Sequence, residues 1–141
     1  MRLKYRKALK AAKKTTKYKD SMCGKTLYIC GNGPSLKRVD FESIKDDYLV
    51  VNDFFRMKDK VVDNPPTYYM IMDDAYILPE LEERFKGVFG SNIDTTFLVN
   101  GTMRDTVKKR YPQLDNKVFY FCPWGKLFNS KKIMDFSRLH S

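Results

Sequence analysis

The stretch that most limits the fold is 26–36, which runs from an apolar strand straight into a glycine turn. Residues 26–30 are rich in β-formers and read as a buried strand. Gly31-Asn32-Gly33-Pro34-Ser35 follows with no spacer. Two glycines one residue apart allow a tight turn and a close approach of a ligand to the backbone. Pro34 suits the first position of a helix, where its missing N–H costs nothing. Strand, glycine turn and helix start together put free N–H groups and a positive helix end at the strand's carboxyl end, which suits a phosphate. A sharp corner without a ligand has the same pattern, so the turn alone leaves both readings open. The dinucleotide fingerprint is incomplete, because its third glycine position is Leu36 and Pro34 removes a donor. That argues against NAD, although Asp53 follows at about the ~20-residue distance of that motif.

The 141 residues allow one domain, and a 43% hydrophobic content with 14% aromatics is enough for a packed core. The formal charge of +10 is concentrated at one end. Residues 1–20 hold nine lysines and arginines against Asp20 alone, so the arm carries +8 of the +10. The expected organisation is a basic amphipathic arm over 1–22 and one domain over 23–141. Tyr5, Ala8, Leu9 and Ala12 share one face of a helix over 1–19. Three roles fit such an arm: packing on the domain, lying on an anionic membrane surface, or touching nucleic acid. Membrane attraction would be mostly electrostatic, at ~1 kcal/mol per basic residue near the surface. Nucleic acid is not expected as a partner, since no zinc motif or RNA-binding aromatic signature is present. The arm is expected to be removable without unfolding the domain.

Cys23, Cys30 and Cys122 form no Cys-x-x-Cys pair and no metal spacing. An odd, scattered set points to a reducing compartment, with Cys30 as a small buried apolar residue. No apolar run reaches the ~18 residues of a membrane span. The basic N-terminus lacks the apolar core of a secretion signal. The expected location is cytoplasmic, with peripheral contact at the inner membrane face.

Along the chain, strands are expected at 26–30, 48–51, 67–72, 95–99 and 117–121, and helices at 36–46, 78–86 and from Thr102 through Tyr111. Leu78, Leu81 and Phe85 are expected on the inner face of the second helix, and Met103, Val107 and Tyr111 on that of the third. Lys58 to Asn64 reads as polar loop, and the tail from Lys126 has a short helical hint around Ile133 and Phe136. Alternating strands and helices predict an α/β, Rossmann-like, mostly parallel five-stranded sheet with helices on both faces.

Four strands end in short polar residues: Asn32 just past the first, then Asn52-Asp53, Asp73-Asp74 and Asn100. Ligands of open α/β sheets bind outside these carboxyl ends. Turn preference explains each residue singly. It explains less well an asparagine at three of four ends, because asparagine both donates and accepts and can read a base or ribose. Asn32, Asn52 and Asp53 are therefore the expected nucleotide contacts, with Asp73 and Asn100 as further ones. Asp73 and Asp74 are the first candidates for a catalytic base, and Asp53 is the third acid at a strand end.

The run Leu27-Tyr28-Ile29-Cys30-Gly31-Asn32-Gly33-Pro34-Ser35-Leu36 resembles the opening of bacterial sialyltransferase-like proteins of lipooligosaccharide and capsule synthesis. The similarity continues in Val50-Val51-Asn52-Asp53-Phe54 and in 66–73, and spans about residues 1–77. It implies a Rossmann-like nucleotide-sugar fold and metal-free transfer of a sugar from a CMP-activated donor to a glycan acceptor. By that resemblance Gly31, Asn32, Gly33 and Ser35 would hold the donor phosphate, and Asn52 would contact the nucleotide. A related family with the same opening makes pterin diphosphates from ATP and magnesium, so the motif leaves that chemistry open as the alternative. A non-catalytic nucleotide-binding module is the other. The resembled family keeps its histidine base in a second half, beginning about where this chain reaches Ser141. The domain is therefore expected to be incomplete, and His140, the single histidine, to be a solvated side chain.

Overall fold

Five short runs of aromatic and β-branched residues form five strands, each within a few residues of its expected bounds. The computed structural model describes residues 7, 8, 10–18 and 20–122. The strands are β1 (Leu27–Cys30), β2 (Asp47–Val51), β3 (Tyr68–Ile71), β4 (Thr96–Asn100) and β5 (Val118–Phe121). All pair in parallel in the order β1-β2-β3-β4-β5. This is the expected α/β, Rossmann-like parallel sheet. A doubly wound sheet reverses its strand order at a switch point, and the five described strands contain no such reversal.

Register sets the two faces. Cys30, Val50, Tyr69, Phe97 and Val118 are successive partners across the sheet and share one face. Ile71, Val99 and Tyr120 join them two residues further on. Tyr69 and Phe97 stack with ring centroids 5.6 Å apart, Phe54 meets Tyr69 edge-on at 6.1 Å, and Phe89 lies 5.6 Å from Phe97. Phe54 and Phe89 belong to the connections after β2 and before β4, so the connections cover this face. Each such ring pair adds about 0.5–1.5 kcal/mol beyond its area burial.

Helices α1 (Glu82–Phe89) and α2 (Arg104–Arg110) follow β3 and β4. Helix α1 begins later than expected, because Pro79 opens a separate 3-10 turn, Pro79–Leu81. Its buried side chains are Phe85, Val88 and Phe89. Leu78, expected on the inner face, instead precedes the proline and is exposed. Met103 and Val107 are buried as their stripe required. The expected helix over 36–46 reduces to a 3-10 turn, Pro34–Arg38, in which only Leu36 is buried. Phe41 is buried as well, but five residues after Leu36 it does not share a helical face with it, so the two anchors hold separate pieces of chain instead of one longer helix. The larger helical connection is instead Asn52–Lys60, a 3-10 stretch that includes part of the expected loop and is anchored by the fully buried Phe54.

The arm packs on the domain. Its 3-10 segment Lys13–Tyr18 sets Tyr18 edge-on against Phe119 at 5.0 Å and Tyr68 at 5.9 Å. By parity, Tyr68 and Phe119 occupy the sheet face opposite Tyr69 and Phe97. Connections therefore cover one face, and the arm lies on the other. Lys17 Nζ stands 4.0 Å from the Phe119 ring centroid, a cation–π contact. Ala8 is fully buried. No helix of the described residues is long and apolar enough to cross a membrane. The helical hint around Ile133 and Phe136 and the terminal His140 lie outside the described residues.

A Cβ on Gly101 would come within 2.9 Å of the Ala8 Cβ and 3.0 Å of the Phe121 carbonyl oxygen. Gly101→Ala should therefore lower the unfolding free energy by about 1–3 kcal/mol, measured by urea denaturation. Unchanged stability would show that the arm does not seat on Gly101.

Candidate functional site

The residues after β1 and β2 meet because the two strands are neighbours. Cys30 pairs with Val50, so both chains leave the carboxyl edge of the sheet together. A concavity of about 440 Å³ lies there, lined by Asn32, Gly33, Lys37, Asp53, Arg56 and Met57, among others. Gly31 and Ser35 flank it in the same turn, and Asn52 precedes Asp53.

The glycine turn differs from its expected physics in two ways. Gly33 has φ −68° and ψ 162°, extended backbone that any residue adopts. A left-handed conformation is therefore not why glycine stands here. A Cβ on Gly31 would meet nothing within 4 Å, and one on Gly33 only Ser35 Oγ at 3.8 Å. Neither packing nor backbone strain demands a glycine, and what the missing side chains leave is open space in front of the turn. The element that follows is only the five-residue 3-10 turn. Its dipole is too short to supply the positive helix end that the sequence pattern promised. Positive charge at the concavity comes from Lys37 and Arg56 instead.

The segment after β2 is held by a buried tyrosine. Tyr69, fully buried in β3, donates its hydroxyl to the Asn52 carbonyl at 2.5 Å and accepts from the Phe55 N–H at 2.8 Å. Burial pushes this phenol far above its usual range, so it keeps its proton. Asn52 itself sits at φ 46°, the left-handed region that asparagine tolerates better than most residues. Its side-chain Oδ1 is buried with no hydrogen-bond partner among the described residues. Asp53 accepts from the Tyr76 hydroxyl at 2.5 Å and lies 3.5 Å from Arg84 and 3.8 Å from Arg56. Burial, then the bond to Asp53, raises the Tyr76 phenol as well. Desolvation likewise raises the Cys30 thiol, but Cys30 is only half-buried, and β1, expected to be buried, exposes Tyr28 and Ile29 because it is the edge strand of the sheet.

The ends of β3 and β4 form a separate cluster. Asn100, 4% exposed, donates to the Met72 carbonyl at 2.9 Å and accepts from the Thr102 N–H at 3.1 Å and its hydroxyl at 2.9 Å. Thr102 Oγ1 also lies 2.9 Å from Asp74 Oδ2. Asp73 accepts from the Ala75 N–H at 2.9 Å and caps a short 3-10 turn. These contacts tie strand ends together, and they engage Asn100 within the fold. The structure thus brings Asn32, Gly33 and Asp53 into one concavity, and leaves Asp73, Asp74 and Asn100 outside its lining.

Sequence reasoning did not single out Lys37, Arg56, Tyr69, Tyr76 or Arg84. The spacing of Asp53 and Arg56 at i, i+3 was a usable signal. The tyrosine contacts need the strand register to be seen. Comparison with known protein families, curated proteins and solved structures finds no match.

Tyr69→Phe should leave the Asn52 carbonyl and the Phe55 N–H without their partner. The expected loss of stability is about 1–3 kcal/mol, read by chemical denaturation. A stability equal to the parent's would show that the hydroxyl does not hold this turn.

Proposed function

We propose that this chain binds a nucleotide-activated sugar of the CMP-sialic acid type, as part of a glycosyltransferase of surface polysaccharide or lipooligosaccharide synthesis. The observation that carries the reading is the concavity joining the glycine turn to the segment after β2. It lies where ligands of open α/β sheets bind. Open space before Gly31 and Gly33 gives a phosphate room to approach the backbone. Lys37 and Arg56 against Asp53 leave a positive balance for it. The Asn52 side-chain Oδ1 is buried with no hydrogen-bond partner among the described residues, and its backbone is left-handed, features that mark ligand sites. Asn32 is exposed at the mouth of the turn and can donate and accept. The resemblance of the glycine turn and of Asn52-Asp53-Phe54 to the sialyltransferase-like family selects the donor class.

In this reading the turn and the two cations stabilise charge on the leaving phosphate. The acceptor hydroxyl needs a base. No histidine lies among the described residues. Of the candidate acids, Asp53 lines the concavity but is held by Tyr76, Arg84 and Arg56, while Asp73 and Asp74 are engaged by Ala75 and Thr102 and stand outside it. Binding without efficient transfer is therefore the expected behaviour of this chain alone.

Gly33→Val should fold normally, because its backbone angles suit any residue, yet lose cytidine nucleotide binding by at least ~tenfold. Calorimetric titration with CMP, beside a circular dichroism spectrum, checks both. Equal affinity in the variant would remove the turn from the site. Offered CMP-sialic acid and glycan acceptors, the chain should give no product above the donor's own hydrolysis, followed by mass spectrometry. Multiple turnovers would place the missing base within these 141 residues.

A further inference from the structure

A second concavity, of about 500 Å³, lies along the outer edge of β5. The arm walls it through Lys7 and Lys10, helix α2 through Arg104 and Lys108, and β5 supplies Phe119 and Tyr120. Three strand spacings of about 4.8 Å separate β5 from β2, so this groove is distinct from the site at the glycine turn.

Its charges do not cancel. Lys7 lies 3.3 Å and Arg104 3.2 Å from Asp105, and Lys108 lies 2.5 Å from Asp115. Four cations against two carboxylates leave two positive charges. Lys10 is exposed and has no ion pair among the described residues. A buried donor adds to this. Tyr120 is 5% exposed, and its hydroxyl has no hydrogen-bond partner among the described residues. Burial, then the nearby Asp115, pushes that phenol up to about 12, so it keeps its proton. A buried hydroxyl without a partner is unfavourable, and a ligand oxygen accepting from it would relieve the cost.

We propose that this groove binds a phosphate group, with Lys10 and Arg104 meeting its charge and the Tyr120 hydroxyl donating to one of its oxygens. A phosphate monoester carries about −1.5 to −2 at neutral pH, which matches the two unbalanced positive charges. A single carboxylate would leave one of them unmet. Arginine adds paired N–H donors that suit phosphate oxygens. The phosphate belongs either to a soluble ester or to the headgroup of an anionic lipid, and the test separates the two.

Inorganic pyrophosphate is titrated into the isotope-labelled full chain at about 0.15 M salt, and amide shifts are followed by NMR. Vesicles of phosphatidic acid in phosphatidylcholine are tested in parallel by co-sedimentation. The expected result is saturable shifts at Ala11, Asn116 and Tyr120 that persist in Gly33→Val. The affinity should fall ~tenfold or more in Lys10→Glu and roughly threefold or more in Tyr120→Phe. Tyr120→Phe keeps the ring in the core, so folding is preserved while the donor is lost. Pyrophosphate binding of this pattern supports a soluble ester. Vesicle binding lost in both variants, without pyrophosphate shifts, supports a lipid headgroup. Three results overturn the proposal: no saturation with either probe, shifts confined to residues 31–35, or binding that Tyr120→Phe leaves unchanged.

Discussion

The candidate site depends on one hydroxyl. Tyr69 stands at the centre of the sheet, fully buried, with Phe54 and Phe97 against its ring. Its oxygen leaves that apolar layer and holds both the Asn52 carbonyl and the Phe55 N–H. A buried phenol must find partners, and a left-handed residue must be held in place by its surroundings. Each requirement meets the other here. The same contact aims the chain so that Asp53, Arg56 and Met57 turn toward the glycine loop. The connection is short, mostly 3-10 and poor in backbone support of its own. Its position therefore comes from tertiary contacts: Tyr69 from below, Tyr76 and Arg84 through Asp53.

The two glycines acquire a different meaning in this setting. Glycine is usually retained for positive φ or for close packing. Gly101 illustrates the second case, with Ala8 and Phe121 against the place a side chain would take. Gly31 and Gly33 meet neither condition, and the space before them is open. That contrast, within one chain, favours a ligand as the reason for the turn.

Strand positions were legible in the sequence because β-formers cluster between turn residues, and Asn, Asp and Gly mark the strand ends. Phe85, Met103 and Val107 were legible as core for the same reason of periodicity. Strand order was not, since alternating strands and helices fit both sequential and doubly wound sheets. Helix lengths were overread at 36–46, where the buried Leu36 and Phe41 lie five residues apart and do not form one helical stripe. Asn100 was read as a ligand contact from its place at a strand end. The structure engages it with Met72 and Thr102, contacts that follow from the β3–β4 register and are invisible in the local sequence. Tyr69 and Asn52 are likewise joined only once β2 and β3 lie side by side.

The central claim is that a nucleotide occupies the carboxyl edge between β1 and β2. A crystal structure of the chain soaked with CMP tests it most directly. The account predicts the phosphate against Gly31 and Gly33, within reach of Lys37 or Arg56, and the nucleoside against Asn52. CMP seated elsewhere on the sheet, or an empty carboxyl edge at saturating nucleotide, would contradict it.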